Sequence, residues 1–412
     1  MSKFLFLFIV LIFITILGLR FYFFYQNKPK LYDGEVIKFE TTLFSEPKIT
    51  SRVQKFSVNY HSDRIFVTTN LFPQSHYGDT LEVAGKIRYL TSNQNNRLIT
   101  INFPKIEAKY QNKNPILSLT SFVRQKIIKF FDSNLAPNYS GLLLGIVFGI
   151  KEEIPTDFLK ILQNVGVMHI IAASGMNVTM TAGFISSILI LFLRRQVALI
   201  ISIVVILFYA VLAGFQASII RASIMGILVF TAQILGRQAW PGFILFLTGY
   251  SMLIWDPSLL FDIGFQLSFL STMGLLFIPS RISPSNSFFP VLESLQTTIF
   301  AQVSTLPVII ANFGFYSIWS VVVNGLVLWT IPLLMVIGGV GAIVSFIFEP
   351  IARFIILLSL PLLIYFEMVA KLFSGFGNLV KIEELSWAAI AGYYFLVISI
   401  VLLVQKDKNP RL

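Results

Sequence analysis

The stretch Gly166 to Met180, GVMHIIAASGMNVTM, sets a histidine, a serine and an asparagine into a run that otherwise reads as membrane-buried. Polar groups left against hydrocarbon cost several kcal/mol, so His169, Ser174 and Asn177 are expected to face a bundle interior or a watery path. On a continuous helix His169 and Asn177 share a face, with Ala173 one turn from each. Gly166 and Gly175 let the backbone break or let another backbone come close. The plainer alternative is a tight helix crossing, with small residues at the contact and polar ones as interhelical glue. Ala173-Ser174-Gly175 beside His169 also suggests an intramembrane serine hydrolase, which needs the base within hydrogen-bond reach of the hydroxyl. Five residues of helix place His169 about 140° round from Ser174, so that chemistry is disfavoured.

Further polar groups recur through the apolar half. Arg221, in FQASIIRASIMG, sits one turn into a helix beginning near Gln216, and its planar fork suits a carboxylate or a phosphate. Snorkelling to the nearby interface is the competing reading. Asp262 and Gln266 are four apart on one face, and an Arg221–Asp262 pair would neutralise both. Gln302, Asn312 and Asn324 add polar groups on other helices, and Pro307 and Pro332 mark expected kinks. Together they predict a wet route lined by His169, Ser174, Asn177, Arg221, Asp262, Gln266, Gln302 and Asn324.

The elements that must hold these residues follow from composition. Of 412 residues, 56% are hydrophobic and 12% charged, against about 25% charged in soluble domains. The chain reads as a multi-spanning membrane protein with a smaller polar insert. A net charge of +11 favours anionic lipid or a polyanionic cargo. Cysteine is absent, which excludes disulfides, iron–sulfur clusters and thiol nucleophiles. His61, His76 and His169 are too scattered for a His-rich metal centre, and no GxxxxGK[ST] is present. No cofactor is expected.

Residues 1–30 hold an apolar run, Phe4 to Tyr25, long enough for one crossing; without a small-residue cleavage site it reads as an anchor. Residues 31–114 alternate in the manner of strands (GEVIKF, RVQKFSVNY, RIFVTTN, TLEVAGKIRY, RLITINF), and about five strands suit a small OB-like β-barrel. Lys86, Arg88 and Tyr89 on one strand, Arg97 on the next, and Tyr60 would supply phosphate-binding and stacking groups for single-stranded nucleic acid. The bland alternative is a solvated barrel surface. Residues 115–165 carry an amphipathic surface helix (Ile116 to Phe131, with Arg124, Lys126 and Lys129 interleaved), a re-entrant half-helix (Tyr139 to Ile150) and an interfacial helix beginning near Pro155.

Residues 166–405 contain about nine further crossings, ending near Leu193, Ala213, Leu235, Trp255, Pro279, Asn312, Phe348, Phe373 and Val404. Arg194/Arg195, Arg237 and Arg281 fall in alternate loops, and the tail, residues 406–412, carries Lys406, Lys408 and Arg411. The positive-inside rule then places both termini in the cytoplasm and the barrel outside. The expected fold is a polytopic α-helical membrane protein of about ten spanning helices plus a re-entrant segment, with an N-terminal extracytoplasmic OB-like β-barrel.

Four ordered stretches carry a family resemblance. GVMHIIAASGMNV resembles the signature of ComEC-type competence proteins, which usually reads G-hydrophobic-H-L-L-A-I-S-G-L-H-V. Tyr209–Gly226, Trp255–Leu276 and Ala301–Leu326 are similar to three further family stretches in the same order, and HYGDTLEVAGKI resembles part of the family's external OB-like domain. The resemblance implies a channel conducting single-stranded DNA across the cytoplasmic membrane in natural transformation. Asn177 stands where the signature usually has a second histidine, so no titrating role is implied there. Many members also carry a C-terminal metallo-β-lactamase-like domain. This sequence ends at Leu412, so no nuclease is expected in it, and a DNA receptor, nuclease and cytoplasmic motor are expected as separate partners. Membrane lipid is the remaining partner, and a homo-oligomer is compatible with the reading. The alternatives are a transporter of another polyanionic or lipid-linked substrate, and a membrane-anchored DNA receptor or scaffold, which would not need polar groups inside the membrane.

Overall fold

A computed structural model describes residues 3–50, 52–61, 63–91, 97–110, 115–171, 175–277, 290–376, 379–381 and 386–408. Helix α1 (Lys3–Asn27) leads into seven strands: β1 (Val36–Thr42), β2 (Lys48–Ile49), β3 (Val53–Tyr60), β4 (Asp63–Asn70), β5 (Thr80–Thr91), β6 (Arg97–Asn102) and β7 (Lys105–Tyr110). Their alternation is real: β1 buries Ile37 and Phe39, β4 buries Ile65 and Val67, and β5 buries Leu81, Val83 and Ile87. These side chains meet Phe56, Val58 and Ile101 in one core.

The expected closed barrel of about five strands does not form. The strand order is β1-β5-β6-β4-β3-β2, with β7 added to β5 and β4 parallel to β6. No ladder joins β1 to β3, so the sheet wraps one core but stays open along that seam. The two unanticipated strands are β2, two residues at the end of the order, and β7, six residues paired with β5.

The helical half follows with α2 (Pro115–Asn134), α3 (Pro137–Phe148), α4 (Thr156–Asn164), α5 (Met168–Ile171), α6 (Gly175–Phe192), α7 (Arg195–Leu212), α8 (Ala217–Ile234), α9 (Pro241–Trp255) and α10 (Ile263–Phe277). Beyond them lie α11 (Pro290–Phe313), β8 (Phe315–Ser317), α12 (Ser320–Val327), α13 (Thr330–Ser345), α14 (Glu349–Leu357), α15 (Leu360–Ser374), β9 (Leu379–Lys381) and α16 (Trp387–Lys408). Helices thus stand where the crossings were expected, but the count of about ten spans is not reproduced. Among the described residues five helices are long and apolar enough to cross, or six if α12 and α13, bent by 51°, form one broken span. Helices α9 and α10 have 15 residues each, about 22 Å at 1.5 Å per residue against a hydrocarbon core of about 30 Å.

Contacts group the helix ends by side. The turn after α7 lies against the sheet, with the Phe44 and Phe215 rings 5.7 Å apart. Arg20 of α1 donates to the last carbonyls of α9, Nε to Ile254 at 2.8 Å and Nη2 to Trp255 at 3.1 Å. The ends of α1, α7 and α9 therefore share the sheet's side, and Arg194 and Arg195 lie at the other end of α7.

Helix α3 is the centre of the helical half. Every residue from Ser140 to Ile150 is buried, and its leucines join residues of α2, α4, α5, α12, α13 and α15 in the main core. At 12 residues it does not span. A helix ending inside a protein leaves its last four carbonyls without intrahelical partners, and lipid offers none. Here the carbonyls from Leu144 to Val147, the last turn before Phe148, are taken. Gly149, left-handed at φ 70°, turns the chain so that its N–H reaches Gly145 O at 3.0 Å and that of Ile150 reaches Leu144 O at 3.3 Å. Asn177 Nδ2 donates to Ile146 O at 2.8 Å, and the Tyr209 hydroxyl donates to Val147 O at 2.9 Å. Replacing Asn177 by Ala or Tyr209 by Phe leaves one buried carbonyl unpaired, a cost of about 1–3 kcal/mol. Each should lower the thermal midpoint of the purified protein in detergent, and midpoints equal to the unmutated one would show that these caps carry no stability.

Candidate functional site

The signature region is built on two breaks. Gly166 ends the turn after α4 at φ +74°, and a Cβ there would lie 2.6 Å from that of Ser320 on α12. Only glycine suits both the backbone and the gap. Gly175 opens α6, where a Cβ would lie 2.6 Å from Nη2 of Arg221 and 3.3 Å from Cβ of Ala222 on α8. The signature thus seats α12 at one glycine and α8 at the other, while Asn177 and Tyr209 hold α3 between them. Arg221 in turn reaches Ser268 on α10. The four stretches singled out in the sequence meet around residues 166–177.

Chain order does not predict every partner. His169 and Asn177 do not share a continuous helix, because α5 ends at Ile171 and α6 begins at Gly175. His169 is exposed although Val167, Ile170 and Ile171 around it are buried, and it lies beside the Gly166 backbone. Asn177 is fully buried and committed to the α3 carbonyl. Ser174 lies outside the described residues.

The expected Arg221–Asp262 pair is absent. Asp262 instead caps α10, its carboxylate accepting from Phe265 N at 2.7 Å, because the start of a helix offers unpaired N–H groups at no cost in reach. Gln266 Nε2 folds back to Leu260 O at 2.8 Å. On α11, Gln302 donates to Ser320 Oγ at 3.0 Å and accepts from the Tyr316 hydroxyl at 2.7 Å. One turn beyond Ser320, Asn324 is fully buried, and neither end of its amide has a partner among the described residues; the Ser317 hydroxyl is likewise unpartnered. Buried amides without partners are rare, and such a group calls for water or a ligand.

On the sheet, Lys86 and Arg88 are exposed on the outer face of β5, but Tyr89 lies on the opposite face with its hydroxyl donating to Leu31 O at 3.0 Å. Tyr60 packs against the Phe39 ring, 4.8 Å between centroids. Both tyrosines are edges of the core, since strand neighbours alternate faces. The side chain of Arg97 lies outside the described residues. The aromatic group on the outer face is Phe66, 39% exposed beneath the Arg64 guanidinium, and it shares the rung Phe66–Thr100–Arg88 across β4, β6 and β5. Its alternation with Ile65 and Val67 was the available signal.

Sequence reading also missed Arg124. It was placed among the interleaved charges of an amphipathic helix, yet it is 2% exposed. Its Nη1 donates to Leu212 O at 2.8 Å, and the Tyr77 hydroxyl donates to Val211 O, so the β4–β5 connection and α2 together cap α7. Arg124 Nε lies 3.7 Å from Glu46 and Nη2 3.6 Å from Glu152, with the guanidinium 5.0 Å from the Tyr77 ring. His76 Nδ1 is 3.2 Å from the other oxygen of Glu46.

Residues 146–407 match the family model described as Competence protein. The chain belongs to the competence-protein family. This competence protein is similar to ComE operon protein 3 of Bacillus subtilis (strain 168), 31% identical over 217 residues, 52% of this chain and 27% of that protein. It is 26% identical over 209 residues to an uncharacterized protein of Aquifex aeolicus (strain VF5), covering 50% and 48% of the two chains. It is also 26% identical over 305 residues to the uncharacterized protein YcaI of Escherichia coli (strain K12), covering 67% and 39%. The competence protein thus spans less than half the length of each of these relatives. No solved structure matches it.

The acidic groups around Arg124 outnumber it. Burial, with Asp132, Glu46 and Glu152 close by, pushes the Glu153 carboxyl up to about 7 against the pull of Arg124. A carboxyl whose folded value lies above its unfolded one contributes stability below the unfolded value, lost as pH rises through the folded one. The thermal midpoint should therefore fall between about pH 5 and pH 8. Glu153→Gln should flatten that fall and raise the midpoint at pH 8. An unchanged profile in Glu153→Gln would remove this carboxyl as its source.

Proposed function

We propose that the chain conducts single-stranded DNA across the cytoplasmic membrane during natural transformation. The observation that carries this reading is the family match over residues 146–407, which spans the helices where the signature meets Arg221, Ser268 and Ser320. Support comes from groups that lipid cannot satisfy. The unpartnered amide of Asn324, the Ser317 hydroxyl and the accessible ring of His169 all sit in the helical half. The charge of +11 suits a polyanion.

In this reading the sheet lies outside the cell and both termini lie in the cytoplasm, with the sheet-side ends of α1, α7 and α9 facing outward. The outer face of the sheet receives the strand: Lys86 and Arg88 meet phosphates, and Phe66 gives a base a surface to stack on. The chain acts as a conduit and not as an enzyme. A separate receptor delivers DNA, a separate nuclease removes the complementary strand, and a cytoplasmic motor draws the strand inward.

Cells carrying the intact gene should internalise labelled DNA into a nuclease-protected form, and cells from which it is deleted should lose that signal until the gene is restored. Equal protected DNA with and without the gene would end this reading.

A further inference from the structure

Arg221 is 8% exposed between α6, α8 and α10. Its Nε donates to Ser268 Oγ at 2.6 Å, its Nη1 lies 3.2 Å from the Met225 sulfur, and the guanidinium is 5.9 Å from the Phe269 centroid. A hydroxyl, a thioether and a ring hold the cation in place, and none neutralises it. Among the described residues no carboxylate pairs with it, and Asp262 is engaged with the start of α10. An arginine does not shed its charge by deprotonation, and a buried charge without a counter-ion is expensive. Among the described residues nothing supplies the missing anion.

We propose that Arg221 and Ser268 form a binding site for a phosphodiester of the nucleic-acid strand, an assignment that rests on the conduit reading above. The donors are already set out. Ser268 Oγ accepts from Nε and so keeps its own hydrogen to give, and Nη2 has no partner among the described residues. Two donors beside a fixed positive charge match the oxygens of a phosphodiester, the fork geometry for which arginine is suited. Gly175 makes room for Nη2, because a Cβ there would stand 2.6 Å from it. Nη2 points across the bundle at α6 and not outward, which favours a strand between the helices over the headgroup of a surrounding lipid. The glycine of one stretch and the arginine of another are thus two halves of one site.

The absence of cysteine supplies the test. Met225→Cys places a thiol beside the guanidinium, and its labelling rate is read in the full-length protein in phosphatidylcholine nanodiscs. A single-stranded oligonucleotide should slow labelling by about tenfold, the equivalent of one charge-assisted contact. The same sequence with neutral methylphosphonate linkages should not slow it. Protection should vanish in Arg221→Gln, and in Gly175→Ala, whose Cβ displaces the Arg221 Nη2 end and asks a few tenths of an ångström of Ala222 Cβ, so the second variant decides if the first does not fold. No protection, equal protection by the neutral strand, or protection that survives both variants would overturn the site. Protection by phosphatidylglycerol in the nanodisc without any by the strand would overturn it in favour of a lipid site. DNA uptake at the unmutated rate by folded Arg221→Gln would also overturn it while leaving the conduit reading in place; loss of that reading shows instead as uptake independent of the gene.

Discussion

A helix that stops inside a membrane protein must give its last carbonyls to other parts of the chain. Most of this architecture depends on how α3 does so. Two carbonyls are closed by the left-handed turn at Gly149, and two are closed by Asn177 on α6 and Tyr209 on α7. Those two bonds fix where α6 and α7 stand relative to the main core. They also commit the asparagine of the signature, expected to face a route, to holding the end of α3.

The same arrangement recurs at the next level. Helix α7, which carries Tyr209, has its own terminal carbonyls at Val211 and Leu212 taken by Tyr77 of the β4–β5 connection and Arg124 of α2. Arg124 is held in turn by Glu46 and Glu152, before and after α3 in the chain. The β4–β5 connection, α2, α7 and α3 are thereby linked through a series of polar contacts. In it the carbonyls of α3 and α7 are hydrogen-bonded, and Arg124 stands in longer ion pairs with Glu46 and Glu152. Breaking one exposes a buried group elsewhere, which couples the position of the sheet to the packing of the half-helix.

Sequence alone conveyed the classes of element well, because composition and period report them directly. The N-terminal apolar helix, the strand-rich insert, the short apolar α3 and the helix α4 all stand where period and length placed them. Partner choice was harder to read. Asp262 stands at the start of α10 and Arg221 one turn into α8, but a nearby helix start satisfies a carboxylate more cheaply than a distant arginine. Tyr89 sits among Lys86 and Arg88 in sequence and on the other face in space, since a strand alternates. Arg124 looked like one of three solvated cations because amphipathic patterning does not say which charged residue meets a buried acid. The Gly175–Arg221 contact had no local signal, since a missing Cβ matters only to whatever approaches it. The number of crossings is not settled by composition, since 15-residue apolar helices such as α9 and α10 satisfy a composition test before they satisfy a length test.

The central claim is that His169 of the signature meets water inside the helical half. The most direct measurement is the reactivity of His169→Cys toward a charged, membrane-impermeant thiol reagent in sealed, right-side-out vesicles, with Val147→Cys as a fully packed control. The account predicts that the thiol at position 169 reacts in the folded protein, and that the thiol at 147, in the buried end of α3, reacts only after denaturation. A thiol at 169 that stays unlabelled from either side of the membrane until the protein is denatured would contradict it.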